Sequence, residues 1–193
     1  MRFTFLVSLL LAAGASLALW GCKTSRSGYE SAPYSVALKD GDYELRDYPE
    51  LTIVETSMAD ANAGENSGFR RLFGYISGKN QNQESIAMTT PVFISEDRRR
   101  MAFVLPAKSS SAQISAPLDP SLSIKKIPSG RFAVFRFTGG QSSTQEAQSL
   151  SLLQTWIAKK GLTTSDSPIY GYFDPPWTPG FMRRNEVMLR QGD

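Results

Sequence analysis

The chain has 193 residues, of which 41% are hydrophobic and 20% charged, with a formal net charge of +3 at pH 7. It contains one cysteine and no histidine, which excludes an intrachain disulfide, Ser-His-Asp or Cys-His catalysis, and any histidine-ligated zinc or haem iron. Basic residues fall in scattered groups such as Arg70-Arg71, Arg98–Arg100 and Lys125-Lys126 rather than in one stripe, so no nucleic-acid partner is expected.

In chain order, the first element is an export signal. Arg2 gives a positive start, and Phe5 to Leu19 is apolar or small throughout. A run of about 15 such residues makes a signal h-region and is too short to span a bilayer. It ends in Leu19, Trp20, Gly21 and Cys22, which look like a bacterial lipobox with Trp20 where a small residue is usual. Residues 1–21 are read as a lipoprotein signal peptide and Cys22 as the site of lipidation. A lone cysteine in an exported chain asks for such a role. Lys23 in place of aspartate after the cysteine resembles outer-membrane lipoproteins. The expected location is the cell envelope, lipid-anchored at the outer membrane and facing the periplasm. The Ser-rich, weakly periodic residues 22–33 are read as a flexible tether, and 34–193 as one folded domain.

Asp40, Asp42, Glu44 and Asp47 crowd the start of that domain. The twelve-residue calcium loop with its closing Glu is absent, and Asp-Gly is a common turn pair. Tyr43 to Met58 is rich in β-branched and aromatic residues and alternates through Leu51, Ile53 and Glu55, with Pro49 as a bend or edge. A helix follows. Phe69, Leu72, Phe73 and Ile76 keep the i, i+3, i+4, i+7 spacing, and Gly78 stops it. Two strand-like runs, TTPVFIS and RMAFVLP, are joined by EDRRR, and Met101, Phe103 and Leu105 share one face.

The second half repeats the order. SIKKIPSGRFAVFRFTG is interrupted at Pro128 and Gly130. A helix opens with Ser143 and Glu146 in capping-box spacing, carries Ala147, Leu150, Leu153 and Ile157 on one face, and ends at Gly161. PIYGYFD and RRNEVMLR close the chain as two strands. Each half reads β-α-β-β, giving an α+β domain of two pseudo-symmetric halves. The groove between them is the natural place for a small ligand.

Few residues suggest chemistry. Glu55 and Glu186 lie in strand-like runs and could serve a pocket as acid, base or cation partner. Met88 suits either a core or a flat ligand. The stretch YFDPPWTPGFMRRNE places Trp177 and Phe181 beside Arg183 and Arg184. That set would hold a flat apolar ligand with carboxylate tails, or else pack its own aromatics as a long hairpin connection.

Taken together, YELRDYP, GFRRLFGYISGKN, IAMTTPVF, RMAFVLP, GRFAVFRFTG and RRNEVMLR resemble the SOUL haem-binding protein family, in that family's order and over most of the chain. The resemblance implies a distorted antiparallel β-barrel flanked by two helices. It implies haem or another tetrapyrrole held in a hydrophobic groove near the first helix, in a non-enzymatic binding protein. The family's groove-lining helix falls on Phe69, Arg70, Phe73 and Ile76, with Met88 in the motif that follows. A histidine iron ligand has no counterpart here. Iron would be left to water, or to Met88, Met101, Met182 or a tyrosine such as Tyr75. Leu72 and its neighbours must cover the sheet, while Phe69 and Phe73 are expected to turn toward the ligand. Two other functions compete: an envelope interaction protein without a small ligand, and a hydrolase acting on a small molecule through a groove glutamate.

Overall fold

The computed structural model describes residues 28–58, 67–107, 114–165 and 167–192. The stretch read as a signal peptide and Cys22 lie outside the described residues. The strands are β1 (Glu30–Ser31), β2 (Ser35–Asp40), β3 (Tyr43–Tyr48) and β4 (Leu51–Ser57). Helix α1 (Ser67–Ile76) follows, then β5 (Thr89–Thr90), β6 (Val92–Ser95), β7 (Arg100–Val104), β8 (Leu122–Ile127) and β9 (Gly130–Phe137). Helix α2 (Ser143–Lys159), β10 (Ile169–Tyr172) and β11 (Asn185–Arg190) complete the domain. Nine strands form one antiparallel sheet in the order β2-β3-β9-β11-β10-β6-β7-β4-β8. Residues 30 and 31, within the stretch read as tether, form β1 and pair in parallel with Thr89 and Thr90.

The expected α+β layout is present, and each half opens with a pair of strands, as the break at Pro128 and Gly130 leads one to expect for the second half. Pro49 separates β3 from β4, and Pro128 separates β8 from β9. A proline has no N–H for a ladder and ends the pairing there. The halves are therefore β3-β4-α1-β6-β7 and β8-β9-α2-β10-β11. Exchanging them reverses the strand order from β3 to β8 into itself. The register obeys the same exchange. Tyr43 faces Phe135 and Tyr48 faces Gly130, while Leu122 faces Thr56 and Ile127 faces Leu51. The pseudo-two-fold passes between β6 and β10, where Ile169 faces Ser95 and Tyr172 faces Val92.

Both helices lie on one face of this sheet, α1 over β4 and β7 and α2 over β9 and β11. Leu72, Tyr75 and Ile76 from α1 and Leu153, Trp156 and Ile157 from α2 join Val54, Phe103, Ala133 and Val187 in one core. Met101, Phe103 and Leu105 share this face, as their alternation requires. Tyr48, Ile53, Phe93, Phe132 and Met188 form a second cluster on the opposite face. A void of only about 10 Å³ is left there.

Both helices end on a left-handed glycine. Gly78 has φ +104° and Gly161 has φ +65°. The amides of Lys79 and Leu162 reach back to the carbonyls of Gly74 and Ile157, and those of Gly78 and Gly161 to Tyr75 and Ala158. This is the paired closure that only a residue tolerant of positive φ completes without strain. The start of α2 differs from the sequence expectation. Ser142 is the N-cap of α2 and makes no side-chain cap bond. Glu146 turns to the sheet instead, where it pairs with Arg98 and accepts from the Tyr172 hydroxyl. A buried carboxylate gains more from a cation and a phenol than from one exposed backbone amide.

Candidate ligand-binding site

Helix α1 divides its apolar residues between two jobs. Leu72 and Ile76 are buried against the sheet. Phe69 and Phe73 stand outward, 37% and 49% exposed. Their rings lie 5.9 Å apart and 12° from parallel, and Phe69 also meets the edge of Phe103 at 5.3 Å. Arg71 fixes this roll of the helix. Its Nε donates to the Thr56 hydroxyl at 3.2 Å and its Nη2 to the Ser57 carbonyl, both at the end of β4. Arg70 is exposed beside Phe69.

The fold supplies an internal control. The buried residues of α1 at 68, 72, 75 and 76 recur on α2 as 149, 153, 156 and 157. In that alignment Phe69 corresponds to Leu150 and Phe73 to Gln154. Leu150 is half-buried and Gln154 exposed. The same scaffold is thus satisfied on the other half without an outward aromatic pair. Packing on Phe103 accounts for part of Phe69 and none of the outward Phe73, so the exposed faces of the pair are candidates for contact with something else.

The C-terminal end of α1 is held by residues that sequence reading missed. Asn80 is wholly buried. It donates to the Tyr75 and Glu84 carbonyls at 2.9 and 2.7 Å, and its Oδ1 accepts from the Glu84 amide at 3.0 Å and the Ser115 hydroxyl at 2.8 Å. All four of its hydrogen-bonding positions are filled. Tyr75 donates to the Ser115 carbonyl at 2.8 Å. Tyr75 is therefore a core and anchoring residue rather than a free iron ligand. Met101 is likewise in the core. Neither presents its donor atom to the surface: both are buried, and the Tyr75 hydroxyl is committed to Ser115. Met88 is half-buried against the same core cluster as Ile76. Among the described residues no group of three or more Cys, Asp or Glu is placed to hold a metal.

The two glutamates are paired. Glu55 takes Lys125 Nζ at 2.6 Å. Glu186 is fully buried and accepts four N–H groups: Arg46 at 2.7 and 2.9 Å, and Arg184 at 2.9 and 2.6 Å. Arg46 also donates to the Tyr48 hydroxyl at 3.2 Å and lies 4.2 Å from the Tyr34 ring centre, and Arg184 lies 4.0 Å from that of Phe173. Burial works against the Arg46 charge, yet its bonds to Glu186 hold its pKa above the ordinary value. Burial pushes the Tyr48 phenol up to about 12. Glu186 is the buried centre of an ion cluster, with three of these N–H groups on Oε1 and one on Oε2.

The stretch 173–184 is the long hairpin connection between β10 and β11, but it does not pack its own aromatics. Arg183 donates to the Thr178 carbonyl at 2.7 Å and to that of Pro176. Arg184 is spent on Glu186 and on the Tyr34 hydroxyl at 3.3 Å. Trp177 and Phe181 are exposed instead of packed on one another or on the core. A cavity of about 210 Å³ opens near β1, lined by Glu30, Ala32, Glu50, Thr52, Thr89 and Val104 among others. It falls below the roughly 300–1,000 Å³ of pockets that enclose drug-sized ligands.

Comparison with known proteins adds to this geometry. The SOUL heme-binding protein family matches residues 29–190. Heme-binding protein 2 of Homo sapiens is 27% identical over 173 residues, covering 83% of each chain, and the Mus musculus protein of that name is 26% identical over the same share. Two solved structures share the fold: the EcmrR C-terminal domain (TM-score 0.53, 13% identity, 83% of this chain and 98% of that one) and a hydrolase from Listeria innocua (TM-score 0.57, 9% identity, 81% and 94%).

Proposed function

The chain belongs to the SOUL heme-binding protein family, and we propose that it holds haem or another flat tetrapyrrole against the outward face of α1. The carrying observation is the near-parallel, exposed Phe69–Phe73 pair, which has no counterpart on α2. Two exposed, near-parallel rings offer aromatic surface against which a flat macrocycle packs. Arg70, exposed on the same helix, is the cation for a carboxylate tail. Ile76 is buried and Met88 half-buried, so of these two Met88 is the one with surface to offer the disc. The disc is gripped by apolar contact, and the iron is left to water or to Met88. The small hydrophobic ligand is the partner this surface suits. Cys22 carries the lipid that fixes the protein to the envelope membrane, with its domain on the periplasmic side of the outer membrane.

Parallel titrations with haem and metal-free protoporphyrin test this reading. Saturable one-to-one binding of both, lost in Phe73→Asp while the variant keeps its melting temperature, is the expected result. Equal binding by folded Phe73→Asp would remove the ligand from α1. Binding of haem alone would require an iron ligand and would overturn the stacking account.

A further inference from the structure

The connection from β10 to β11 is the second place where the two halves part company. Its pseudo-two-fold partner, the turn from β6 to β7, spans residues 96–99, whereas this one spans 173–184. The tip, Pro175 to Met182, contains no charged residue and carries Trp177 and Phe181 at 76% and 79% exposure. These rings are not on a slack loop. Pro175, Pro176 and Pro179 restrict its backbone. Gly180–Met182 form a 3₁₀ turn, and Arg183 clasps the Thr178 and Pro176 carbonyls. The Gly180 carbonyl accepts from the Gly139 amide at 2.9 Å, and the Asp174 carboxylate from the Arg184 amide at 2.6 Å. The tip is thus a braced, uncharged support holding two aromatics in solvent.

The path of the chain says what lies near it. Arg184, at the foot of the hairpin, donates to the Tyr34 hydroxyl at 3.3 Å. Tyr34 is only twelve positions after Cys22, a path of at most about 40 Å fully extended. If Cys22 is acylated, the foot of the hairpin stays within about 40 Å of the bilayer, in reach of it when the domain turns that way. Amphipathic indole rings settle at the headgroup layer, where the ring meets acyl chains and the N–H meets water.

We propose that the Pro175–Met182 hairpin tip is a membrane-interface element that lays Trp177 and Phe181 into the headgroup layer of a phospholipid bilayer. The proposal rests on the reading of Cys22 as the lipid anchor. Two contacts then hold the domain, one acyl and one aromatic, and together they fix its orientation on the surface. A single tether would leave it free to rotate.

The processed chain keeps two tryptophans, Trp156 and Trp177. Trp156 is buried and donates to Asp40 at 2.9 Å, so only Trp177 reports on the surface. The acylated full chain is reconstituted on phosphatidylcholine vesicles with brominated acyl chains. Flotation reads the anchor, and emission reads the hairpin. Flotation with a blue-shifted, bromine-quenched emission that disappears in Trp177→Phe is the expected result. Flotation with unquenched Trp177 overturns the proposal and leaves the anchor intact. Protection of Trp177 from aqueous quencher without bromine quenching indicates a protein cover and overturns it too. If the chain does not float, the anchor reading fails. The same chain at saturating vesicle concentration then decides the hairpin: quenching supports it, and none overturns it.

Discussion

Replacing Glu186 with Gln separates two accounts of this residue. As a catalytic base it would lie at a groove floor, and its loss would abolish activity while sparing the fold. As the centre of an ion cluster it is needed for folding. The structure puts it wholly out of solvent with Arg46 2% exposed, four N–H groups converging on its two oxygens. Glu186→Gln leaves two guanidinium groups facing a neutral amide. Removing one partner of a buried pair costs about 3–5 kcal/mol. In a domain of about 160 residues each kcal/mol moves the midpoint by about 2–4 °C, so a fall of roughly 6–20 °C is expected. Thermal melting by circular dichroism reads it directly. Glu186→Leu combined with Arg46→Met and Arg184→Met should regain part of the loss, because both guanidinium groups leave with the carboxylate, while Glu44 loses Arg46 and keeps only Lys39 at 3.2 Å. A single variant within 1 kcal/mol of the parent, or a triple variant as unstable as the single, would refute the reasoning.

Asn80→Ala removes the partner of the Glu84 carbonyl, the Glu84 amide and the Ser115 hydroxyl and one of the two donors to the Tyr75 carbonyl, and should cost about 3 kcal/mol, with faster amide exchange across residues 75–84. On the alkaline side, Tyr48 titrates at about 12 and Tyr172 is also raised, first by burial and then by Glu146. A folded pKa above the unfolded value of about 10 adds stability that is complete below pH 10 and is lost as pH climbs through the folded value. A spectrophotometric titration should show these two phenols ionising last, together with unfolding. On the acid side Glu44 is lowered: burial opposes its charge, but Arg46 and then Lys39 outweigh it. Its contribution is present above about pH 4.5 and fades as pH falls through the lower folded pKa, so the melting temperature should drop between pH 5 and 3.

What could be read from the sequence was local. The spacing of Phe69, Leu72, Phe73 and Ile76 marks α1, and the need to cover a sheet divides those four into an inner and an outer pair. Gly78 and Gly161 mark the helix ends because positive φ selects glycine within a few residues of the last turn. The residues missed are those whose meaning depends on distant partners. Arg46 meets Glu186 across 140 positions, and Asn80 meets Ser115 across 35. Neither pair leaves a periodic trace. Glu146 shows the converse: its spacing from Ser143 fits a cap, and the tertiary partners Arg98 and Tyr172 outbid that local option. The aromatic hairpin was visible as composition, but its exposure depends on Arg183 turning back on its own loop.

The palindromic strand order has a consequence for how the molecule must be assembled. β3 belongs to the first half by chain order but pairs with β9 of the second, and β8 belongs to the second but pairs with β4 of the first. Each half has lent its leading strand to the other. Neither could fold alone without leaving an unpaired edge on β4 or β9, and two copies of either half could mend that fault only by trading strands. The topology is that of a strand-exchanged dimer written into a single chain. Its cooperativity is therefore built in: there is no half-folded state that keeps one helix packed and its sheet complete.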